Sequence, residues 1–165
     1  MTALHFVSAP GGSAFMHELL GVVAHEVRRC SEDIDVTLSE GAFPPDPHAV
    51  FVVVPHEFFV VLPEAIQPPE DQLRRTIGLC VEHPGTETFL TTVRTSRALG
   101  ARVAISNSTT VALNRLGLPT ERFVLGYSEL WDQWRGAPGE RPLDVLYLGT
   151  ADERRSRLLS MEIEQ

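Results

Sequence analysis

The 165-residue chain contains no lysine; all fourteen basic residues are arginine. That removes Schiff-base chemistry and the phosphate-binding lysine of a P-loop from any mechanism available to it. Positive charge is scarce altogether, with 14 basic against 22 acidic residues and a net charge of -8. No nucleic-acid partner is expected, because phosphate backbones are bound by clustered positive charge. Cysteine is limited to Cys30 and Cys80, without C-x-x-C spacing, and each falls in an apolar segment where a small buried thiol fits. No apolar run approaches the roughly 18 residues of a spanning helix, and the start Met-Thr-Ala-Leu-His lacks a basic leader region. The expectation is a soluble, cytoplasmic protein without a transmembrane segment. Asn107-Ser108-Thr109 fits the glycan acceptor pattern, but without an export signal the match reads as accidental.

Two enzyme signatures are also missing. In H-E-x-x-H the two histidines share one helical face, but Gly21 follows His17-Glu18 at that spacing and Arg29 follows His25-Glu26, so the zinc signature fails twice. No G-x-S-x-G elbow is present, which argues against an α/β-hydrolase.

What is present is an alternation of short apolar runs and longer helical patterns. Residues 4–9 read as a first strand and Pro10-Gly11-Gly12-Ser13 as a loop and helix cap. A helix follows over 14–30, with Phe15, Leu19, Val22, Val23 and Val27 on its buried face. Further strands are expected at 34–38, 49–54, 73–81 and 102–106, with helices over 85–100 and 107–116, the last capped by Asn107. Repeated strand-helix units with short connections imply a doubly wound, mostly parallel Rossmann-like α/β sheet with helices on both faces. With 43% hydrophobic residues the chain can bury a sizeable core. Residues 1–126 are expected to form this domain and 127–142 a linker holding Trp131 and Trp134. A fresh strand at 143–148, followed by Gly149, Thr150, Arg154 and Arg155, looks like the start of a second α/β unit that the remaining residues do not complete.

Two loops carry the chemistry. The runs 50–54 and 77–81 read as strands buried on both faces. Each ends in a His-Glu pair, His56-Glu57 in one loop and Glu82-His83 in the other. Ligand sites of open parallel sheets gather at the C-terminal ends of the strands, so both pairs should line one crevice. A histidine, titrating near neutrality, can take the proton from an attacking hydroxyl with a carboxylate beside it. The rival reading of His56-Glu57 is an exposed loop anchored by Phe58 and Phe59. Paired glycines at Gly11 and Gly12, followed by Ser13 and a helix N-terminus, suit close approach to a diphosphate, or else form an ordinary strand-to-helix turn. His17 lies on the first turn beyond them, and could equally be a solvated helix residue. Pro84 forces His83 into extended geometry, and Thr86 or Gly85 could cap the next helix without any ligand. A metal site assembled in space from His56, Glu57, Glu82 and His83 is the minor reading.

These residues resemble the N-terminal half of a GT-B glycosyltransferase. The resemblance rests on Gly11-Gly12 with His17 beyond it, on the Pro55-His56-Glu57 and Glu82-His83-Pro84-Gly85-Thr86 loops, and on Leu125-Gly126-Tyr127 closing the domain. The stretch D-V-L-Y-L-G-T-A-D-E-R-R within 143–155 is similar to the start of the donor-binding half of such enzymes. The resemblance implies sugar transfer from a nucleotide sugar to an acceptor hydroxyl, without an obligatory metal or other cofactor, in the cleft between two halves. It also implies catalytic roles for His56, Glu57, Glu82 and His83. Gly11, Gly12, Ser13, His17 and Thr86 would bind substrate, while Gly149, Thr150, Arg154 and Arg155 would contact donor phosphate. Most of a donor half is missing, so a separate donor-half chain or a homo-oligomer is an expected partner. A non-catalytic binding or partner subunit of the same fold is the alternative. A stand-alone domain resembling flavodoxin or a response regulator is a further one, and the absent lysine counts against the latter.

Overall fold

A computed structural model describes residues 2–62 and 67–131. These lie within the first of the chain's two units, Met1–Gln133. Trp134, Gly149, Thr150, Arg154 and Arg155 lie outside the described residues, as does the strand expected at 143–148.

The core element is a six-stranded, all-parallel sheet in the order β2-β1-β3-β4-β5-β6. Its strands are β1 (Thr2–Ser8), β2 (Ile34–Glu40), β3 (Val50–Val53), β4 (Thr76–Cys80), β5 (Ala101–Ala104) and β6 (Glu121–Arg122). The helices are α1 (Ala14–Cys30), α2 (Pro55–Val61), α3 (Glu70–Leu73), α4 (Glu87–Thr95) and α5 (Asn107–Arg115). The expected doubly wound arrangement is present, and the side-chain alternation of each strand shows how it is held. Leu4, Phe6, Val52, Ile77 and Leu79 point to one face and pack with Leu19, Leu20, Val23 and Ala24 of α1. The alternate positions Val7, Phe51 and Val53 meet Phe58 of α2, while Cys80 and Ala104 meet Phe89 and Val93 of α4 and Leu113 of α5. Strands buried on both faces are continuous apolar runs, which is why they were readable.

The chain leaves β1 toward β2 and then recrosses to place β3 on the other side of β1. With the right-handed crossovers usual for parallel strands, reversing direction along the sheet sends α1 to one face and α2, α4 and α5 to the other. The connections after β1 and β3 therefore leave toward opposite faces, which makes their C-terminal ends the switch point at which ligand sites of such sheets lie.

Several local expectations are corrected. Residues 55–59 are not a loop; α2 begins at Pro55, whose fixed backbone suits the first helical position. The strand expected at 73–81 is confined to Thr76–Cys80, and Leu73 instead ends α3. Ser106, not Asn107, caps α5, its hydroxyl accepting from the Thr109 N–H at 3.1 Å. Phe15 is 58% exposed and does not share the buried face of α1. Cys30 is exposed too, leaving Cys80 as the buried thiol.

Candidate functional site

The loop after β1 is tied down from both neighbouring strands. Ser13 occupies the N-cap position of α1, but its side chain makes no capping hydrogen bond. Its own N–H donates instead to Glu57 Oε1 at 2.6 Å, from the first turn of α2. On the other side the Gly11 N–H donates to Glu40 Oε1 at 2.9 Å, from the end of β2. Gly12 is what permits this closure, since a Cβ there would stand 2.9 Å from the Glu57 carboxyl carbon. The Glu57 carboxylate thus takes the place at the positive end of α1 where an external anion would otherwise be favoured.

The second cluster joins β3 to β4. His56 is the second residue of α2 and Glu82 lies two residues beyond β4, and adjacent parallel strands bring them together. Their Nε2 and Oε1 atoms are 3.1 Å apart, with the side chains 11% and 20% exposed. A carboxylate can only accept, so the neutral ring carries its proton on Nε2 and keeps its lone pair on Nδ1. That Nδ1 is buried without a hydrogen-bond partner. Glu82 is fixed from elsewhere as well. The Thr88 hydroxyl donates to its Oε2, and the Thr109 hydroxyl donates to its carbonyl at 2.8 Å.

The remaining expected residues divide. Thr86 caps α4, accepting from the Phe89 N–H at 3.1 Å while its hydroxyl donates to the His83 carbonyl at 2.9 Å. Gly85, at φ +95°, makes the turn that feeds this cap. His83 is exposed, with Nδ1 2.8 Å from the Pro84 carbonyl, and does not join His56. His17 is exposed at the far side of the glycine loop, where Nδ1 lies 2.9 Å from the hydroxyl of the buried Ser8. The His-Glu couples are therefore re-paired. His56 goes with Glu82 rather than with Glu57, which faces the glycine loop. Among the described residues no group of three or more histidine, cysteine, aspartate or glutamate side chains is placed to hold a metal. None of the described helices is long and apolar enough to cross a membrane.

Ser8, Glu40, Thr88 and Thr109 were not anticipated. Glu40 closes a strand and Thr88 follows a helix cap, positions where polar residues are ordinary, so neither carried a signal. A separate concavity of about 330 Å³ lies between α1 and residues 123–131. Its walls include Val22, Val27, Leu125 and Trp131, and its polar contact is Ser128 donating to Glu26 Oε1 at 2.7 Å. That bond is the main reason the Glu26 carboxyl is held below its ordinary range.

No known protein family, curated protein or solved structure matches this chain.

Proposed function

We propose that this chain is the acceptor-binding half of a cytoplasmic GT-B-type glycosyltransferase, taking its acceptor at the C-terminal ends of β1, β3 and β4. In this reading an acceptor hydroxyl oxygen bonds to the anomeric carbon of a nucleotide sugar as the carbon-to-phosphate oxygen bond breaks. The proton passes to His56 Nδ1 and the nucleoside diphosphate departs with the bonding pair. Glu82 orients the ring through Nε2 and balances the imidazolium that forms. The observation that carries the reading is the 3.1 Å contact between His56 and Glu82 at the C-terminal ends of adjacent parallel strands. Glu57 serves to shape the glycine loop. Donor phosphates would be held, without a metal, by a second half that begins with Gly149, Thr150, Arg154 and Arg155, as the sequence resemblance implies.

One observation favours the alternative of a non-catalytic binding or partner subunit. His56 Nδ1 is enclosed, so proton transfer to it requires the ring or the first turn of α2 to move. The two readings separate in one assay, with a donor half supplied either in frame or as a second chain. General-base catalysis is worth about 10² to 10⁴ in rate, so His56→Ala should lower transfer by that factor. Transfer that is undiminished in His56→Ala would leave a purely binding role. Strong transfer by the 165 residues alone would overturn the half-enzyme reading.

A further inference from the structure

Glu82 presents both carboxylate oxygens to named partners, Oε1 to His56 Nε2 at 3.1 Å and Oε2 to the Thr88 hydroxyl at 2.5 Å. A carboxylate held at one oxygen alone can swing about its last torsion. Held at both, it keeps one oxygen facing the imidazole. Thr88 is free for this task because Thr86, two residues earlier, caps α4. The Thr86 and Thr88 hydroxyl oxygens lie 3.0 Å apart, and Thr88 Oγ1 makes its other contact with Glu82. The one hydrogen of the Thr88 hydroxyl goes most favourably to the charged Glu82 oxygen, while that of Thr86 is given to the His83 carbonyl.

We infer that Thr88 is a positioning residue, which by fixing the Glu82 carboxylate holds His56 in the tautomer with its proton on Nε2 and a basic lone pair on Nδ1. The use made of that lone pair rests on the sugar-transfer reading; the positioning itself does not. Thr88 is exposed and outside the apolar core, so its substitution leaves the packing intact.

The test is long-range proton–nitrogen NMR of the imidazole rings in the whole chain at pH 8, with His56 assigned by the signals lost in His56→Gln. The parent should show His56 as a single Nε2–H species, with its two nitrogen shifts far apart. In Thr88→Val, which keeps the shape and removes the hydroxyl, the two shifts should move toward each other as the tautomers mix, and Thr88→Ser should restore the separation. Glu82→Gln is the control that must disturb the ring. The inference fails if Thr88→Val leaves the His56 shifts unchanged while Glu82→Gln moves them, if Thr88→Ser behaves like Thr88→Val, or if the parent is already a mixture. The expected shifts without any transfer by the parent and a donor half would sink the sugar-transfer reading and leave the role of Thr88 standing.

Discussion

Glu57 shows how one side chain decides what a glycine loop can hold. Its carboxylate accepts from the Ser13 N–H and packs over Gly12, so across 44 residues of sequence it satisfies the cap residue's own amide as the glutamate of a capping box does. Loss of a helix cap costs about 1 kcal/mol. Glu57→Ala should therefore lower unfolding stability by about that amount, read from the urea midpoint at unchanged slope, and no loss would mean the contact contributes nothing. The two thiols make a second residue-scale contrast. Burial pushes the Cys80 thiol up to about 12, whereas Cys30 is exposed. Since the thiolate is the reactive form, a disulfide reagent at pH 8 should modify Cys30 in the native chain and Cys80 only after denaturation. Rapid modification of both would contradict the packing of β4. Sequence alone placed both thiols in the core, because an apolar neighbourhood does not reveal which way the last residue of a helix points.

At the scale of elements, α2 matters most, because its seven residues carry both His56 and Glu57. Its anchor is the fully buried Phe58, whose ring lies 5.2 Å from Phe43, which in turn stacks on Phe51 of β3 at 4.2 Å. Phe58→Ala should cost about 3–5 kcal/mol in unfolding free energy, and a loss under 1 kcal/mol would show that α2 is not seated by this ring. The segment 123–131 is held to α1 by Ser128 on Glu26, a contact that depends on pH. A carboxyl held below its ordinary value stabilises the fold at pH values above that ordinary value, and the contribution is lost as pH falls through the lowered one. Tryptophan emission should accordingly change in acid below about pH 4.5, the ordinary glutamate value. Ser128→Ala should flatten that change, and an unaltered acid transition in Ser128→Ala would remove the tie from consideration. These elements also mark the limit of sequence reading. The central strands and α1 were legible because a strand buried on both faces and a 17-residue amphipathic helix leave long, distinct patterns. The Phe-Phe-Val-Val end of α2 is too short for helical periodicity and rich in residues that favour strands, so tertiary packing decides it. At two residues, β6 leaves no pattern at all.

Along most of the sheet, arginine gathers at one end, Arg122 at the end of the edge strand β6 being the exception. In a parallel α/β layer the strands start, and the helices finish, at the edge away from the strands' C-terminal ends. Arg28 and Arg29 end α1, Arg74 and Arg75 precede β4, and Arg94 and Arg115 stand in the last turns of α4 and α5. Each of these helix ends gains from a cation near its negative pole. The loops 9–13, 54–57 and 81–87 after β1, β3 and β4 contain no arginine and contribute Glu57, Glu82 and Glu87. The Gly11 and Ser13 amides, which a phosphate would need, are already bonded to Glu40 and Glu57. A nucleoside diphosphate, with several negative charges and no arginine in these loops to meet them, should bind weakly at this end of the sheet. Isothermal titration with nucleotide sugars at physiological ionic strength is expected to give dissociation constants no tighter than about 1 mM, or about -4 kcal/mol. Glu57→Gln, which removes the charge from the mouth of α1, should strengthen whatever binding remains. Micromolar affinity in the parent would mean that phosphate is recognised here after all, and would move the donor site to the strand ends assigned to the acceptor.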